Sequence, residues 1–450
     1  MPDWPTQTPN WKSVLLLVLV TTVAVWARLD GMGASIILQD SLGPYLSAVR
    51  LDGRTHASPY GLLLLPPYWI ALHAGSLWNA VAVILCLHAL IAPAGVVVAR
   101  RVCSRGWVVP LLVGLGLALD AGLLDTARSG SKGYFSAALV GLMLCCRGGW
   151  AWVAYACAVA HHPLAACTAP LLFWRADNWN RWTAFGALFA ALAIAHQSLG
   201  WGSAGVETVD RPSISALEAF LTQGGALAYI IAGGPLVGLI LPRARRLAAC
   251  TLGALLLLLI AGETTGYLRD HHLRIVAVPA LACWAAARWW QAWVLALVAV
   301  LRPTDRHPAP VDQQPGTIAL TSIASRVLAT VPGPLHIEQV WFDGAPAIEP
   351  GALMLDSLLR GEPGNRFHPD GRLVLIVTGL ESTMKAIGSP GEDLLSGPAF
   401  TVAHTTPADA QRWIEPLCSR EPRVGGSWDG YSALNAATRL EDLEGSWVCP

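Results

Sequence analysis

Residues 13–29 read SVLLLVLVTTVAVWARL, an apolar run that ends in Arg28 and Leu29. About 20 residues at 1.5 Å each cross the roughly 30 Å of hydrocarbon in a bilayer. No small-residue cleavage site follows, so we interpret the run as a retained membrane span and not as a signal peptide. More apolar runs follow, the clearest at 77–99, 107–124, 181–199, 224–241 and 246–262, with shorter ones at 133–146, 150–162, 163–174, 273–287 and 289–301. Together they predict a multi-span α-helical membrane protein with about eleven helices.

The composition supports this class of protein. Of the 450 residues, 54% are hydrophobic and 13% are charged, whereas a soluble protein averages about 25% charged residues. The formal net charge of zero excludes nucleic-acid binding through bulk charge, and the apolar content excludes disorder. The zero is an average over two parts. Residues 1–301 hold 19 basic and 12 acidic residues, and residues 302–450 hold 11 and 18.

The placement of Lys and Arg in short loops predicts the orientation. With Lys12 in the cytoplasm, alternate loops hold Arg100, Arg101, Arg105, Arg147, Arg175, Arg181, Arg243, Arg245, Arg246 and Arg288. The opposite loops hold Asp30, Asp40, Asp52, Asp125, Glu207, Asp210, Glu263 and Asp270. We therefore expect a multi-pass protein of the cell (inner) membrane with a cytoplasmic N-terminus and an extracytoplasmic C-terminal domain. One span more or fewer would reverse the side of that domain.

Carboxylates, histidines and arginines collect on the predicted outer side. The third outer loop carries Glu207 and Asp210, which we take as candidate substrate-binding residues. The fourth reads GETTGYLRDHHLR over 262–274. Loops are polar simply because they meet water, but ionisable groups at membrane depth are costly and usually mark a pathway or a site. The mixture of charges on one face, opposite a face that is almost purely Arg, favours a site.

Three stretches resemble the GT-C family of integral-membrane glycosyltransferases. The first joins Arg28 to LQDSLGPYLSAVRLDG at 38–53, the second is SPYGLLLLPPYWIAL at 58–72, and the third is YLRDHHLRIVAVPALACW at 267–284. The resemblance covers most of residues 13–301. It implies a GT-C-like fold, a polyprenyl-phosphate-linked sugar as donor, contact with membrane lipid, and a catalytic carboxylate in the first extracytoplasmic loop.

Asp40 is the carboxylate that the resemblance favours, with Asp30 and Asp52 as the next candidates. Transfer of a sugar to a hydroxyl or amine needs a general base that removes the acceptor proton, and a carboxylate near the acceptor can serve. Asp30 follows the end of the first span, and Asp52 lies in an Asp-Gly turn, which has an ordinary structural use.

The basic late loop supplies candidate groups for the leaving phosphate. Arg269 and Arg274 are candidate clamps because a planar guanidinium contacts two phosphate oxygens at once. His271 and His272 are candidates for phosphate binding or proton transfer. A bound divalent cation is the other source of positive charge for such a step, so the cofactor is left open.

His161-His162-Pro163 divides the apolar stretch 150–174. Proline lacks the N–H that a helix interior needs, and adjacent helical residues point to different faces, which suits one metal ion poorly. We therefore predict a helix break that lines the cavity, with 150–174 forming one bent hairpin, in preference to a metal site. The cysteines of the spans show no ligand spacing and are interpreted as small buried hydrophobes.

The composition changes at residue 302. Residues 302–316 predict a Pro-rich linker, and 317–450 predict a soluble extracytoplasmic α/β domain with a partly parallel sheet. Its predicted strands are 335–342, 372–379 and 399–405, and its predicted helices are 318–330, 351–360 and 407–418. The last helix is predicted to begin where Thr406 precedes Pro407, with Asp409 in its first turn. We expect this domain to shape the acceptor side of the cleft or to dock a protein partner.

Two cysteines, Cys418 and Cys449, occur in this domain. They form a disulfide if the compartment is oxidising and are free thiols in the cytosol.

The leading hypothesis is thus a membrane glycosyltransferase. The alternative is a non-catalytic GT-C-like subunit that anchors an extracytoplasmic domain in a larger assembly, because the family's acidic motif is often a pair and here Ser41 follows Asp40. A transporter ranks third, since the chain has neither a Walker loop nor a visible inverted repeat.

Overall fold

The structure is a computed structural model. It describes residues 11–30, 32, 45, 54–55, 58–59, 65–103, 106–128, 132–175, 187, 217–218, 220–221, 225–265, 268, 270–287, 317–342, 350–362, 367–368, 370–420 and 423–426. The chain divides into two compact units, Met1–Asp30 with Leu85–Arg306 and Gly31–Ile84 with His307–Pro450. The second unit therefore combines an early segment of the chain with its C-terminal part.

Residues 1–301 are mostly helical where they are described. In chain order the elements are α1 (Trp11–Leu29), β1 (Arg54–Thr55), β2 (Ser58–Pro59), α2 (Leu65–Leu72), α3 (Leu77–His88), α4 (Ile91–Val102), α5 (Val108–Leu119), α6 (Ala121–Arg128), α7 (Lys132–Cys145), α8 (Gly149–His161), the 3-10 helix Pro163–Trp174, α9 (Gly225–Ile240), α10 (Arg245–Thr265), the 3-10 helix Asp270–Val276 and α11 (Ala277–Ala285).

Two of the described segments, Leu77–Val102 and Arg245–Glu263, are long and apolar enough to cross a membrane. Shorter apolar helices cover Ser13–Leu29, Val108–Leu119, Phe135–Cys145, Pro163–Trp174, Ala228–Ile240 and His272–Ala285. The predicted spans 181–199 and 289–301 lie outside the described residues, apart from Ala187. The count of about eleven spans stays a prediction.

Helix α1 shows an apolar surface that is not covered by protein. Leu15, Val18 and Trp26 are exposed, whereas Val20 and Ala24 on the same helix are fully buried. A helix that is apolar all round and half covered suits a lipid environment, because its backbone hydrogen bonds are satisfied within the helix. This surface agrees with the membrane span predicted for 13–29.

Glycine allows the late helices to approach closely. A Cβ on Gly234 of α9 would lie 2.5 Å from the carbonyl oxygen of Ala280, and one on Gly238 would lie 2.7 Å from Cβ of Ala248. Small residues at such crossings let helix backbones meet in a membrane. The indole Nε1 of Trp284 also donates to the carbonyl of Ile230 at 2.8 Å, so α11 and α9 are joined by packing and by a hydrogen bond.

Besides the run 77–99, in which a turn at Ala89 and Leu90 separates α3 from α4, two of the predicted spans are interrupted. The run 107–124 breaks at Asp120, where α5 ends and α6 begins. The run 273–287 is α-helical only from Ala277, because a longer helix would bring Pro279 into its interior. Uniform hydrophobicity concealed both breaks.

The described part of the C-terminal region is an α/β/α sandwich. Its elements are α12 (Thr317–Leu328), β3 (Leu335–Trp341), α13 (Pro350–Leu359), β4 (Arg372–Thr378), α14 (Glu381–Ile387), β5 (Glu392–Gly397), β6 (Phe400–His404), α15 (Pro407–Ile414), the 3-10 helix Glu415–Arg420 and β7 (Arg423–Gly426). The strand order is β5-β6-β4-β3-β7, with β3 and β4 parallel and the other pairs antiparallel. Strands β3, β4 and β6 lie in the three segments for which the sequence predicts strands.

Alternate residues of the central strands face two separate cores. Ile337 and Val374 pack with Leu353 of α13 on one face, while Leu375 packs with Ile414 of α15 on the other. A strand that is covered on both faces is apolar along its whole length, which explains the run RLVLIVT in β4.

The N-terminus of α15 has the cap that its sequence predicts. Thr406 is extended, and its Oγ1 accepts a hydrogen bond from the backbone N–H of Asp409 at 3.2 Å. Pro407 occupies the first helical position, where no N–H is needed.

Candidate functional site

A buried aspartate makes the break between α5 and α6. Asp120 has an extended backbone, with φ −61° and ψ 119°, and it is buried. Its Oδ1 accepts a hydrogen bond from the backbone N–H of Leu123 at 2.8 Å. Asp120 is thus the N-cap of α6 and satisfies one of the donors that a helix start leaves open.

The other side of the same break is held by Arg28. This side chain is fully buried, and its Nη1 donates to the carbonyls of Ala24 at 3.0 Å and Ala118 at 3.4 Å. Its Nη2 reaches the carbonyl of Leu117 at 3.5 Å. Carbonyls at a helix C-terminus lack partners and attract positive charge. The structure therefore gives Arg28 a positioning role at the end of α5.

The two adjacent histidines point in different directions, as predicted. The ring of His161, at the end of α8, lies 4.4 Å from that of Phe135, whose other neighbour is His88 at 4.9 Å. His162 is extended, and its Nδ1 accepts from the N–H of Leu164 at 3.3 Å, which begins the 3-10 helix. Packing between that helix and α8 forms the predicted hairpin.

His162 lies beside the basic late loop. Its ring centroid is 4.6 Å from that of His272, and both rings are buried. His272 and Arg274 belong to the 3-10 helix Asp270–Val276, which packs against α7, α10 and α11. The helix break at His162 and this 3-10 helix thus bring two histidines and one arginine into the same part of the first unit.

The guanidinium of Arg274 is enclosed. Arg274 is 5% exposed, and its Cζ lies 5.9 Å from the ring centroid of the buried Phe220, a separation at which a cation still gains from the ring face. Gly122 of α6 borders its other side. A Cβ on Gly122 would lie 2.9 Å from Cζ of Arg274 and closer still to Nη2, so any larger residue would displace this guanidinium. We call His162, His272, Arg274, Gly122 and Phe220 the Arg274 cluster.

This cluster suits an anion. It holds one guanidinium and two imidazoles in a body of apolar helices, where low polarity strengthens any charge interaction. Among the described residues, no three His, Cys, Asp or Glu side chains are grouped so that they would hold a metal ion.

The first-loop motif is seen in part. Tyr45 follows Asp40 by five residues, and its ring meets that of Tyr68 edge to face at 4.9 Å. Both tyrosines are buried. Burial, and to a smaller extent Tyr68, raises the pKa of the Tyr45 phenol well above its usual value, so Tyr45 stays neutral. The structure thus joins the first and second stretches of the family resemblance.

The candidate residues differ in how much the structure shows of them. Asp30 is exposed at the end of α1, and its N–H donates to the carbonyl of Trp26 at 2.8 Å. His272 and Arg274 are buried in the cluster, and only the backbone of His271 is described. The remaining candidates lie outside the described residues: Asp40, Asp52, Arg269, Glu207 and Asp210.

Sequence reasoning missed Asp120, Gly122 and Phe220. A signal was available for Asp120, because a carboxylate within the apolar run VVPLLVGLGLALDAGLL is costly unless it caps or binds something. The roles of Gly122 and Phe220 depend on contacts that are distant in sequence.

Cysteines contribute no site in the described residues. Cys283 is buried, and seven other free cysteines are half-buried: Cys86, Cys103, Cys145, Cys146, Cys157, Cys167 and Cys250. Burial is thus less complete than predicted. Cys418 is disulfide-bonded, and Cys449 lies outside the described residues.

No protein family model and no curated protein sequence matches the chain. Its structure is similar to the crystal structure of ArnT from Cupriavidus metallidurans in the apo state, with a TM-score of 0.38 and 13% sequence identity over 89% of this chain and 99% of that one. A TM-score of 0.38 does not carry a residue role or an activity from ArnT to this chain.

Proposed function

We propose that the chain is a membrane glycosyltransferase that moves a sugar from a polyprenyl-phosphate donor to an acceptor at the outer face of the membrane. The observation that carries the proposal is the Arg274 cluster. A buried arginine in an apolar helical body is costly and is retained where it serves a pathway or a site. Arg274, with His162 and His272 beside it, has the chemistry to bind a phosphate group.

The reaction gives each candidate residue a role. The acceptor oxygen or nitrogen attacks the anomeric carbon of the sugar, and the bond from that carbon to the phosphate oxygen breaks. Asp40 receives the acceptor proton as general base. The polyprenyl phosphate leaves with the electron pair of the broken bond, and its charge is stabilised by Arg274 and by Arg269 from the same loop.

Enclosure explains why arginine suits this position better than lysine. The guanidinium is planar and remains charged when it is desolvated, whereas a buried ammonium readily loses its proton. Its Cζ lies 5.9 Å from the ring centroid of Phe220, and a planar guanidinium can contact two phosphate oxygens at once. A phosphate in the cluster would therefore meet a cation held in place from two sides.

The test measures sugar transfer in membranes that contain the protein and a radiolabelled polyprenyl-phosphate sugar. Replacing Arg274 with Gln should lower kcat/KM about 100-fold or more, as expected for loss of a group that stabilises the leaving charge. Arg243→Gln is the matched control, because Arg243 is exposed and should be dispensable. Asp40→Asn should abolish transfer with normal expression.

Two results would overturn the proposal. Full activity of Arg274→Gln would remove the cluster from the reaction. A purified chain that carries a stoichiometric protein partner, binds no polyprenyl phosphate and transfers no sugar would establish the non-catalytic subunit instead.

A further inference from the structure

A carboxylate of the C-terminal domain caps a helix near the start of the chain. Asp356 of α13 is fully buried, and its Oδ1 accepts a hydrogen bond from the backbone N–H of Leu77 at 2.9 Å. Leu77 is the first residue of α3 and of the segment Leu77–Val102, which is long and apolar enough to cross a membrane. The two residues are 279 positions apart in the sequence. This cap is therefore a tertiary contact and not part of a local turn.

The local sequence leaves this N–H for a distant partner. Gly75 turns the chain with φ +79°, and Ser76 Oγ accepts from the N–H of Asn79 at 3.2 Å. Asn79 Nδ2 also donates to the carbonyl of Ala74 at 2.9 Å. The first residues of a helix have backbone N–H groups without a partner inside the helix. Ser76 accepts from that of Asn79, and Asp356 accepts from that of Leu77. A negative charge is favourable at this end of a helix.

The carboxylate is held in place by its own domain. Its Oδ2 accepts from Nε of Arg360 at 2.7 Å, and Nη2 of Arg360 donates to Ser322 Oγ of α12 at 3.0 Å. A buried charge needs such partners, because an uncompensated one is strongly destabilising. The helix start and α13 therefore meet at this carboxylate, and Arg360 links it to α12.

We propose that Asp356 is a latch that docks the C-terminal domain on the start of the segment Leu77–Val102, and that this domain therefore lies on the same side of the membrane as the first outer loop. Gly31–Ile84 and His307–Pro450 belong to one compact unit, which supports the docking. The disulfide at Cys418 suits an oxidising outer compartment.

The docking has a consequence that rests on the proposed function. If Asp40 acts as proposed, the docked domain shares its compact unit with the segment Gly31–Ile84, and Asp356 becomes a positioning residue for the acceptor side of the reaction. Docking itself does not depend on activity, and it can be measured on an inactive protein.

The first test cuts the folded, full-length protein. A sequence-specific protease site is placed in the predicted linker 302–316, and the purified protein is cleaved and analysed by size exclusion in detergent. The C-terminal fragment should remain bound in the wild type. Asp356→Ala should raise the apparent dissociation constant of the fragments about tenfold or more, since a cap is lost and Arg360 is left unpaired. Asp370→Ala, at an exposed carboxylate of the same domain, is the control.

A conservative variant, Asp356→Asn, keeps the test possible if Asp356→Ala does not fold. Asp356→Asn keeps an acceptor for the Leu77 N–H but loses the charge that pairs with Arg360, so its fragments should separate more readily than the wild type and less than Asp356→Ala. Two results would overturn the latch. One is that the wild-type fragments separate on cleavage. The other is that the fragments of Asp356→Ala and Asp356→Asn have the same apparent dissociation constant as those of the wild type.

The second test measures the side of the membrane. The eight free cysteines of the described residues are first replaced with serine. In that background, cysteines at the exposed positions His73→Cys and Glu381→Cys should react with a membrane-impermeant maleimide in intact cells, whereas Arg243→Cys should react only after lysis. Reaction of His73→Cys and Glu381→Cys from opposite sides would refute the shared placement. If the protein transfers no sugar but its fragments stay docked and both cysteines are labelled from the same side of the membrane, the latch is supported and only the proposed transferase activity is contradicted.

Discussion

Gly122→Ala probes whether the enclosure of Arg274 matters. The added Cβ would lie 2.9 Å from Cζ of Arg274, whereas non-bonded carbon atoms meet at about 3.5–4.0 Å. The guanidinium must therefore move by about 1 Å. Misplacement of a binding group by about 1 Å is enough to cost about 100-fold in rate, which corresponds to about 2.7 kcal/mol of transition-state stabilisation.

The effect on folding should be small by comparison. The atoms that must shift are the end of a flexible side chain, and alanine is a better helix former than glycine by up to about 1 kcal/mol. We expect Gly122→Ala to keep a thermal midpoint in detergent close to that of the wild type. The assay is kcat/KM for the radiolabelled donor, measured together with that midpoint.

Gly116→Ala is the matched control. Gly116 lies in the neighbouring helix α5, and a Cβ there would meet only Cδ2 of Leu281, at an ordinary 3.8 Å. This variant should be as active as the wild type. If Gly122→Ala is also as active as Gly116→Ala, the position of the Arg274 guanidinium does not matter for transfer, and the reasoning from enclosure is wrong. Combining Gly122→Ala with Arg274→Gln should cost little more than Arg274→Gln alone, because both changes act on one group.

Three further outcomes test other parts of the structure. Asp120→Ala should destabilise the protein by about 1–2 kcal/mol through loss of the α6 cap, seen as a lower thermal midpoint, whereas Asp120→Asn should retain most of that stability. Thr406→Ala should cost about 1 kcal/mol at the start of α15 without changing donor KM; a change in donor KM would contradict its purely structural role. Non-reducing mass spectrometry of the protein from membranes should show Cys418 in a disulfide, and a free thiol there would argue against an oxidising compartment.

Local patterns predicted the parts of the fold that depend on neighbours in sequence. The Pro163 break made the His161 and His162 directions predictable, and Thr406 before Pro407 identified the start of α15. Period and apolar content also located β3, β4 and β6 within a few residues.

Features that depend on distant contacts were not predictable in the same way. Nothing near Asp356 in the sequence indicates that it caps a helix 279 residues earlier. Arg28 was noted only for its place in the family resemblance, while its contacts lie on α5, about 90 residues later. Asp120 sits in so apolar a run that length and hydropathy alone assign it to the interior of a span.

The 3-10 winding of Pro163–Trp174 has a consequence for the length that these residues span. A 3-10 helix rises about 2.0 Å per residue, so its 12 residues extend about 24 Å, whereas an α-helix of the same 12 residues extends about 18 Å. The same run of residues thus reaches farther than it would as an α-helix. His162 precedes this segment and Arg175 follows it, so the winding of the helix sets the distance between Arg175 and the imidazole that lies beside His272. A change to α-helical winding would draw those ends about 6 Å together.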